Sequence, residues 1–147
     1  MTDIQSVSRL IIGHSLVQFH FFDFNQPLVI CFAPAGKKLS TTQAHSGESA
    51  WGFDFFVQQG INVLAINTID DNHWYLCDEL AQYLLNMSPL LDRFPERVGY
   101  GSSMGGFGVT HFSQALHIDR ALLFAPLLHG ETSSIDSDHP CQFTVDL

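Results

Sequence analysis

A chain of 147 residues with only six Lys and Arg and a formal charge of −9 reads as one ordinary acidic domain, long enough to bury a real core. That charge repels phosphate backbones and anionic headgroups, which excludes nucleic acid and membrane surfaces as partners. Hydrophobic residues make up 46% and thirteen residues are Phe, which excludes a disordered composition, and no apolar run reaches the roughly 18 residues of a membrane span. The start, Met1-Thr2-Asp3-Ile4-Gln5-Ser6, lacks the basic and apolar regions of a signal peptide. Cys31, Cys77 and Cys141 have no pairing or metal-type spacing and read as free thiols. The expected location is therefore cytoplasmic, with no metal and no cofactor.

Leu10 to Phe24 reads as one or two early strands, a hairpin turning near Gly13-His14 or further on. Leu28 to Ala33 is a continuous β-prone run, as in a strand covered on both faces, and Pro34-Ala35-Gly36 ends it. Lys37 to Glu48 is polar and loop-like. Ser49 is placed to cap a helix to about Gln59, with Gly60 as its stop. Ile61 to Asn67 is a second buried-type strand, and Asp70-Asp71-Asn72-His73 a loop. From Trp74 to Met87, apolar residues at Leu76, Leu80, Leu84 and Met87 have helical spacing, which Ser88-Pro89 should weaken or end. Arg97 to Gly101 reads as a strand, Met104 to His117 as a helix and Ala121 to Ala125 as a strand.

The order after the hairpin is β-α-β-α-β-α-β. It predicts an α/β fold: a three-layer α/β/α arrangement around a mostly parallel sheet, with right-handed crossovers. This domain spans residues 1–128. Residues 129–147 read as an acidic tail, since Glu131 to Leu147 holds four carboxylates and no Lys or Arg.

Gly101-Ser102-Ser103-Met104-Gly105 is a G-x-S-x-G motif between a predicted strand and a predicted helix. That context defines a nucleophile elbow, whose sharp turn lifts one serine hydroxyl above the sheet edge. Residues two before and two after the nucleophile approach each other and the next strand, so both must be glycine. Gly101 and Gly105 are symmetric about Ser103 and not about Ser102. The helix start directs free N–H groups and the positive dipole end at whatever Ser103 attacks. The Met104 N–H is one natural oxyanion donor, and the N–H of Ala35 or Gly36, after the neighbouring strand, is the second.

From about Leu10 to Pro126 the chain resembles the α/β-hydrolase superfamily. Tyr100 through Gly106, the strand ending at Pro34-Ala35-Gly36, and the strand Ala121 to Ala125 carry the resemblance. The Gly-Ser-Ser-Met-Gly-Gly elbow followed later by Leu-Phe-Ala-Pro also looks like bacterial hydrolase-like proteins linked to surface-polysaccharide gene clusters. The resemblance implies a serine nucleophile, an oxyanion hole and ester or amide hydrolysis, here of a small ester or an acylated carbohydrate. The family orders its triad as Ser, then Asp or Glu, then His. Only His139 follows late acids here, which implies His139 with Asp136 or Asp138. The family's seventh and eighth strands find no candidates, so the fold is expected to be shortened.

The remaining histidines read otherwise. His14 and His20 suit the early strands, and His111 and His117 the sides and end of the helix after Ser103. His45 and His73 lie in loops on the side of the elbow, and His129 follows the last strand. Three functions follow: a serine esterase or acyl hydrolase, a non-catalytic accessory or binding protein on the same scaffold, or a truncated inactive hydrolase. In the last, the edge beside Ala121 to Ala125 needs covering by the tail or by a second copy, giving a homo-oligomer.

Overall fold

A computed structural model describes residues 6–125 and the backbone of residues 142–146. Strands β1 (Ser6–Ile12) and β2 (Ser15–Phe21) form the hairpin, turning at Gly13-His14. They are followed by β3 (Leu28–Phe32), α1 (Thr41–His45), α2 (Phe53–Gln58) and β4 (Asn62–Thr68). Then come α3 (Asp78–Leu91), β5 (Arg97–Ser102), α4 (Met104–Phe112), β6 (Arg120–Phe124) and β7 (Gln142–Asp146). One sheet runs in the order β1-β2-β4-β3-β5-β6-β7. Its centre, β4-β3-β5-β6, is parallel, while β1, β2 and β7 pair antiparallel at the flanks. The sheet is thus mixed, and parallel only where helical crossovers connect the strands.

The three layers follow from handedness. The step from β3 to β4 runs one way along the sheet, and the steps to β5 and β6 run the other way. Right-handed crossovers therefore place α1 and α2 on one face and α3 and α4 on the other. Strand β4 records both layers in its alternation. Leu64 and Ile66 join Leu80, Leu84, Val109 and Phe112. Val63 and Ala65 join Ala44, Phe53 and Phe56. A strand buried on both faces is why Ile61 to Asn67 reads as an apolar run.

Several boundaries differ from expectation, each for a local reason. Lys37 to Glu48 is not all loop: Ser40 and Gln43 form a reciprocal capping box that starts α1. Helix α2 starts after Ser49, because the N–H groups of Ala50 and Trp51 are taken by the side chains of Gln18 and Asn67, and Ser49 bonds Asp54 instead. Helix α3 starts after Trp74, since Trp74 and Tyr75 both have positive φ, at 59° and 61°. It continues through Pro89, on an exposed side where the carbonyl freed by the ring belongs to Leu85, itself exposed. Helix α4 ends at Phe112, and looser turns lead to His117, whose φ of 53° closes the segment. The segment read as a tail supplies strand β7, which pairs with β6 along Gln142↔Phe124 to Asp146↔Arg120. The edge beside Ala121 to Ala125 is thereby covered by the chain's own backbone.

Asn62 ties this framework to the β2–β3 connection. Its amide is buried; Oδ1 accepts from Phe22 and Asp23 N–H at 2.6 and 3.0 Å, and Nδ2 donates to Asp23, Gln26 and Pro27 carbonyls. Asn62→Ala orphans these groups and should cost about 2–4 kcal/mol in urea unfolding, more than a typical single loss. A loss below about 0.5 kcal/mol contradicts this role.

Candidate active site at the carboxyl edge of the sheet

The carboxyl ends of β4, β3, β5 and β6 lie side by side, because Phe32 is in register with both Ile66 and Gly101, and Ser102 with Phe124. The chain reverses direction about β3, so the crevice between the β3 and β5 ends is the topological switch point, where open α/β sheets bind ligands. Ser103 stands at the end of β5, and the Pro34-Ala35-Gly36 turn at the end of β3.

Ser103 has φ 56° and ψ −122°, a conformation that L-residues rarely adopt. Its N–H donates to the Phe124 carbonyl at 2.9 Å, and its carbonyl accepts from Gly106 N–H at 2.9 Å. A sharp strand-to-helix reversal is thus tied on both sides. The flanking glycines explain its tightness. A Cβ on Gly101 would stand 2.5 Å from the Gly105 carbonyl oxygen, and one on Gly105 would strike the backbone carbonyl of Phe32. These contacts are backbone, which a rotamer change cannot relieve. Ser102, by contrast, is an ordinary strand residue paired with Phe124.

Ser103 is half-buried, and its side chain makes no hydrogen bond among the described residues. Met104 opens α4, so its N–H has no acceptor within the helix. Across the crevice, Ala35–Lys37 forms a short 3-10 turn closed by Lys37 N–H on the Pro34 carbonyl at 3.0 Å. Ala35 and Gly36 supply its first N–H groups, which likewise lack intrahelical acceptors.

The histidines are distributed elsewhere. His73 donates from Nε2 to the His14 carbonyl at 2.8 Å and accepts the Tyr75 N–H on Nδ1 at 3.2 Å, a structural arrangement. His20 stacks on Phe22, and its partial burial lowers its pKa. His111 stacks on Phe107, His117 pairs with Asp92 at 2.7 Å, and His45 is exposed at the end of α1. None of these contacts Ser103. His129, Asp136, Asp138 and His139 lie outside the described residues. Among the described residues, no cluster of three or more His, Cys, Asp or Glu could hold a metal.

Asp70, in the stretch read as a loop, is a clamp. It accepts the Thr41 hydroxyl and the Thr41 N–H, the latter at 2.8 Å, and so joins the loop after β4 to the start of α1. Those hydrogen bonds, with smaller help from His14 and Lys38, hold its pKa below the ordinary carboxylate value. Sequence reasoning missed Tyr75, whose buried hydroxyl donates to the Ala33 carbonyl at 2.6 Å. Its placement inside a predicted helix hid the loop geometry, and no local signal marked it.

Two predictions follow from this geometry. Gly105→Ala should cost about 1–3 kcal/mol in thermal or urea unfolding despite the better helix propensity of Ala, whereas Gly36→Ala, with open space around it, should change stability little. Equal effects would contradict the close approach. The Asp70–Thr41 clamp should be complete above the unfolded carboxyl pKa of about 3.9 and be lost as pH falls through the lower folded value. An NMR titration of the Thr41 amide should give a midpoint below that of a free aspartate; a midpoint at or above it contradicts the clamp.

No protein-family model matches the chain, and no curated protein matches its sequence. Solved structures do resemble it. The capsule O-acetyltransferase of Neisseria meningitidis serogroup A superposes with a TM-score of 0.56 at 16% identity, over 82% of this chain and 51% of that one. The carboxyl esterase 2 of Tuber melanosporum has a TM-score of 0.48 at 16% identity, over 86% of this chain and 46% of that one. A predicted CIB-like hydrolase from Thermoplasma acidophilum has a TM-score of 0.47 at 16% identity, over 84% and 64%. The chain spans about half the length of the acetyltransferase. At this identity the likeness speaks to architecture, and together with the strand order it shows that this chain has the α/β-hydrolase fold.

Proposed function

We propose that the chain is a serine acyl hydrolase in which Ser103 is the nucleophile. The observation that carries this reading is the backbone of Ser103, held at φ 56° between β5 and α4 by glycines that no other residue could replace without collision. Strain of this kind is kept where surrounding structure and function demand it. In the proposed reaction, Ser103 Oγ attacks the ester carbonyl carbon and passes its proton to a base. The Met104 N–H and the N–H of Ala35 or Gly36 hold the oxyanion. The C–O bond of the ester breaks, and the leaving alkoxide takes the proton. Water, deprotonated by the same base, then attacks the acyl-serine and releases the acid and free Ser103.

The base in this reading is His139, oriented by Asp136. Chain reach supports it. Gln142 is in register with Phe124, and Phe124 with Ser102, so β7 runs two strand spacings, about 10 Å, from β5. His139 precedes Gln142 by three residues, which span at most about 10 Å. A small ester or an acyl group on a carbohydrate hydroxyl is the proposed substrate class. It suits an oxyanion site at a sheet edge, and it agrees in chemistry with the acetyltransferase named above, which acts on a capsule.

A second reading is an accessory protein that keeps the fold without turnover. The engagement of His20, His73, His111 and His117 with other partners fits it. One experiment separates the two. Incubated with a fluorophosphonate probe and mapped by mass spectrometry, the wild-type protein should be modified at Ser103. Ser103→Ala should lose all labelling, and Ser102→Ala should keep it. Labelling at Ser102 overturns the assignment of the nucleophile, and a folded protein that never labels supports the accessory reading.

A further inference from the structure

We propose that the buried hydroxyl of Tyr75 sets the position of the Pro34-Ala35-Gly36 turn, which makes Tyr75 a positioning residue for the oxyanion donors. The inference rests on the reading of Ser103 as nucleophile for its catalytic meaning, but not for its geometry.

Ala33 is the last residue before the turn, and both its backbone groups are held. Its N–H donates to the Ile66 carbonyl at 3.0 Å, and its carbonyl accepts the Tyr75 hydroxyl at 2.6 Å. A second acceptor, the Ile66 carbonyl, lies 3.4 Å from the same hydroxyl, so the single proton serves the shorter contact. Orienting the Ala33 carbonyl orients the whole Ala33–Pro34 peptide plane. Proline leaves only ψ free after that plane, because its ring holds φ, here −73°, and the Lys37 N–H bond to the Pro34 carbonyl restrains that ψ. A rotation of the Ala33 carbonyl is therefore passed on to the Ala35 and Gly36 N–H groups. An oxyanion donor must lie within about 2.7–3.1 Å of the developing charge, so a small displacement matters.

Tyr75 is itself firmly seated. It is fully buried, with its ring edge-on to Phe32 at a 5.0 Å centroid separation. Gly108 of α4 leaves the space for it, since a Cβ there would stand 2.9 Å from the Tyr75 ring. Its backbone has φ 61°, next to Trp74 at 59°, and its N–H is held by His73 Nδ1. Two consecutive non-glycine residues at positive φ carry backbone strain, which a helical start at Trp74 would have avoided. What the strained path achieves is delivery of one phenol to the Ala33 carbonyl. Burial pushes that phenol well above its ordinary pKa, so the proton stays available at any working pH.

Tyr75→Phe removes the hydroxyl and keeps the ring. The readouts are amide NMR with hydrogen exchange over residues 33–37 and the rate of fluorophosphonate labelling. The Ala35 and Gly36 amides should shift and exchange at least about tenfold faster, with Val63 to Ile66 unchanged, and labelling should slow about 10- to 100-fold, somewhat less than outright loss of an oxyanion donor. Leu84→Val, which thins the same core away from the turn, should leave the labelling rate unchanged. Should Tyr75→Phe fail to fold, 3-fluorotyrosine at position 75 keeps the hydroxyl with altered donor strength and should still move the Ala35 amide. Unmoved Ala35 and Gly36 amides overturn the inference, whatever happens to labelling. Moved amides in a protein whose wild type never labels uphold the positioning role and overturn Ser103 as nucleophile.

Discussion

The close approach of the first turn of α4 to the ends of β5 and β3 is the constraint on which the site depends. Backbone meets backbone there: Gly101 against the Gly105 carbonyl, and Gly105 against the carbonyl of Phe32. Nothing in that contact can move aside as a side chain would. The reversal between strand and helix must then be made within one residue, and Ser103 takes the positive φ that such a reversal requires. The strained backbone of Ser103 and the packing of the helix on the sheet are one structural fact.

The rest of the carboxyl edge is arranged to hold loops against that point. Asp70 fastens the start of α1 to the loop after β4 through Thr41. His73, His14 and Ser15 tie the same loop to the hairpin turn. Tyr75 reaches from it under the turn that follows β3. Short polar bonds of this kind add modestly to stability one by one. Their shared consequence is rigidity of two loops at the carboxyl edge of the sheet, which the proposed site requires.

Much of this was legible in the sequence because it rests on short-range rules. The glycines around Ser103 announce a reversal, and the apolar run Leu28 to Ala33 announces a strand buried on both faces. The turn at Gly13-His14 has the residues that a hairpin needs. What escaped detection depends on partners distant in sequence. Ser49 could not be seen to lose its cap to Asp54, because that depends on Gln18 and Asn67 taking the neighbouring N–H groups. Trp74 and Tyr75 directly precede the helical spacing of Leu76, Leu80 and Leu84, yet their backbone leaves the helix and brings the Tyr75 hydroxyl to the Ala33 carbonyl. Strand β7 carries a strand-like alternation, Gln142-Phe143-Thr144-Val145-Asp146, but it is short and the acidic, polar stretch before it masked the signal. The Ser40–Gln43 capping box was readable, and the polar composition around it masked the signal.

In the proposed reaction Ser103 Oγ is the one atom that attacks, and the N–H groups at Met104 and at the Ala35-Gly36 turn receive the resulting charge. A crystal structure of the protein after reaction with a fluorophosphonate tests this most directly. The account predicts phosphorus bonded to Ser103 Oγ, with its free oxygen within about 2.7–3.1 Å of the Met104 N–H and of the Ala35 or Gly36 N–H. Phosphorus on Ser102, or on Ser103 with that oxygen directed away from both N–H sets, would contradict it.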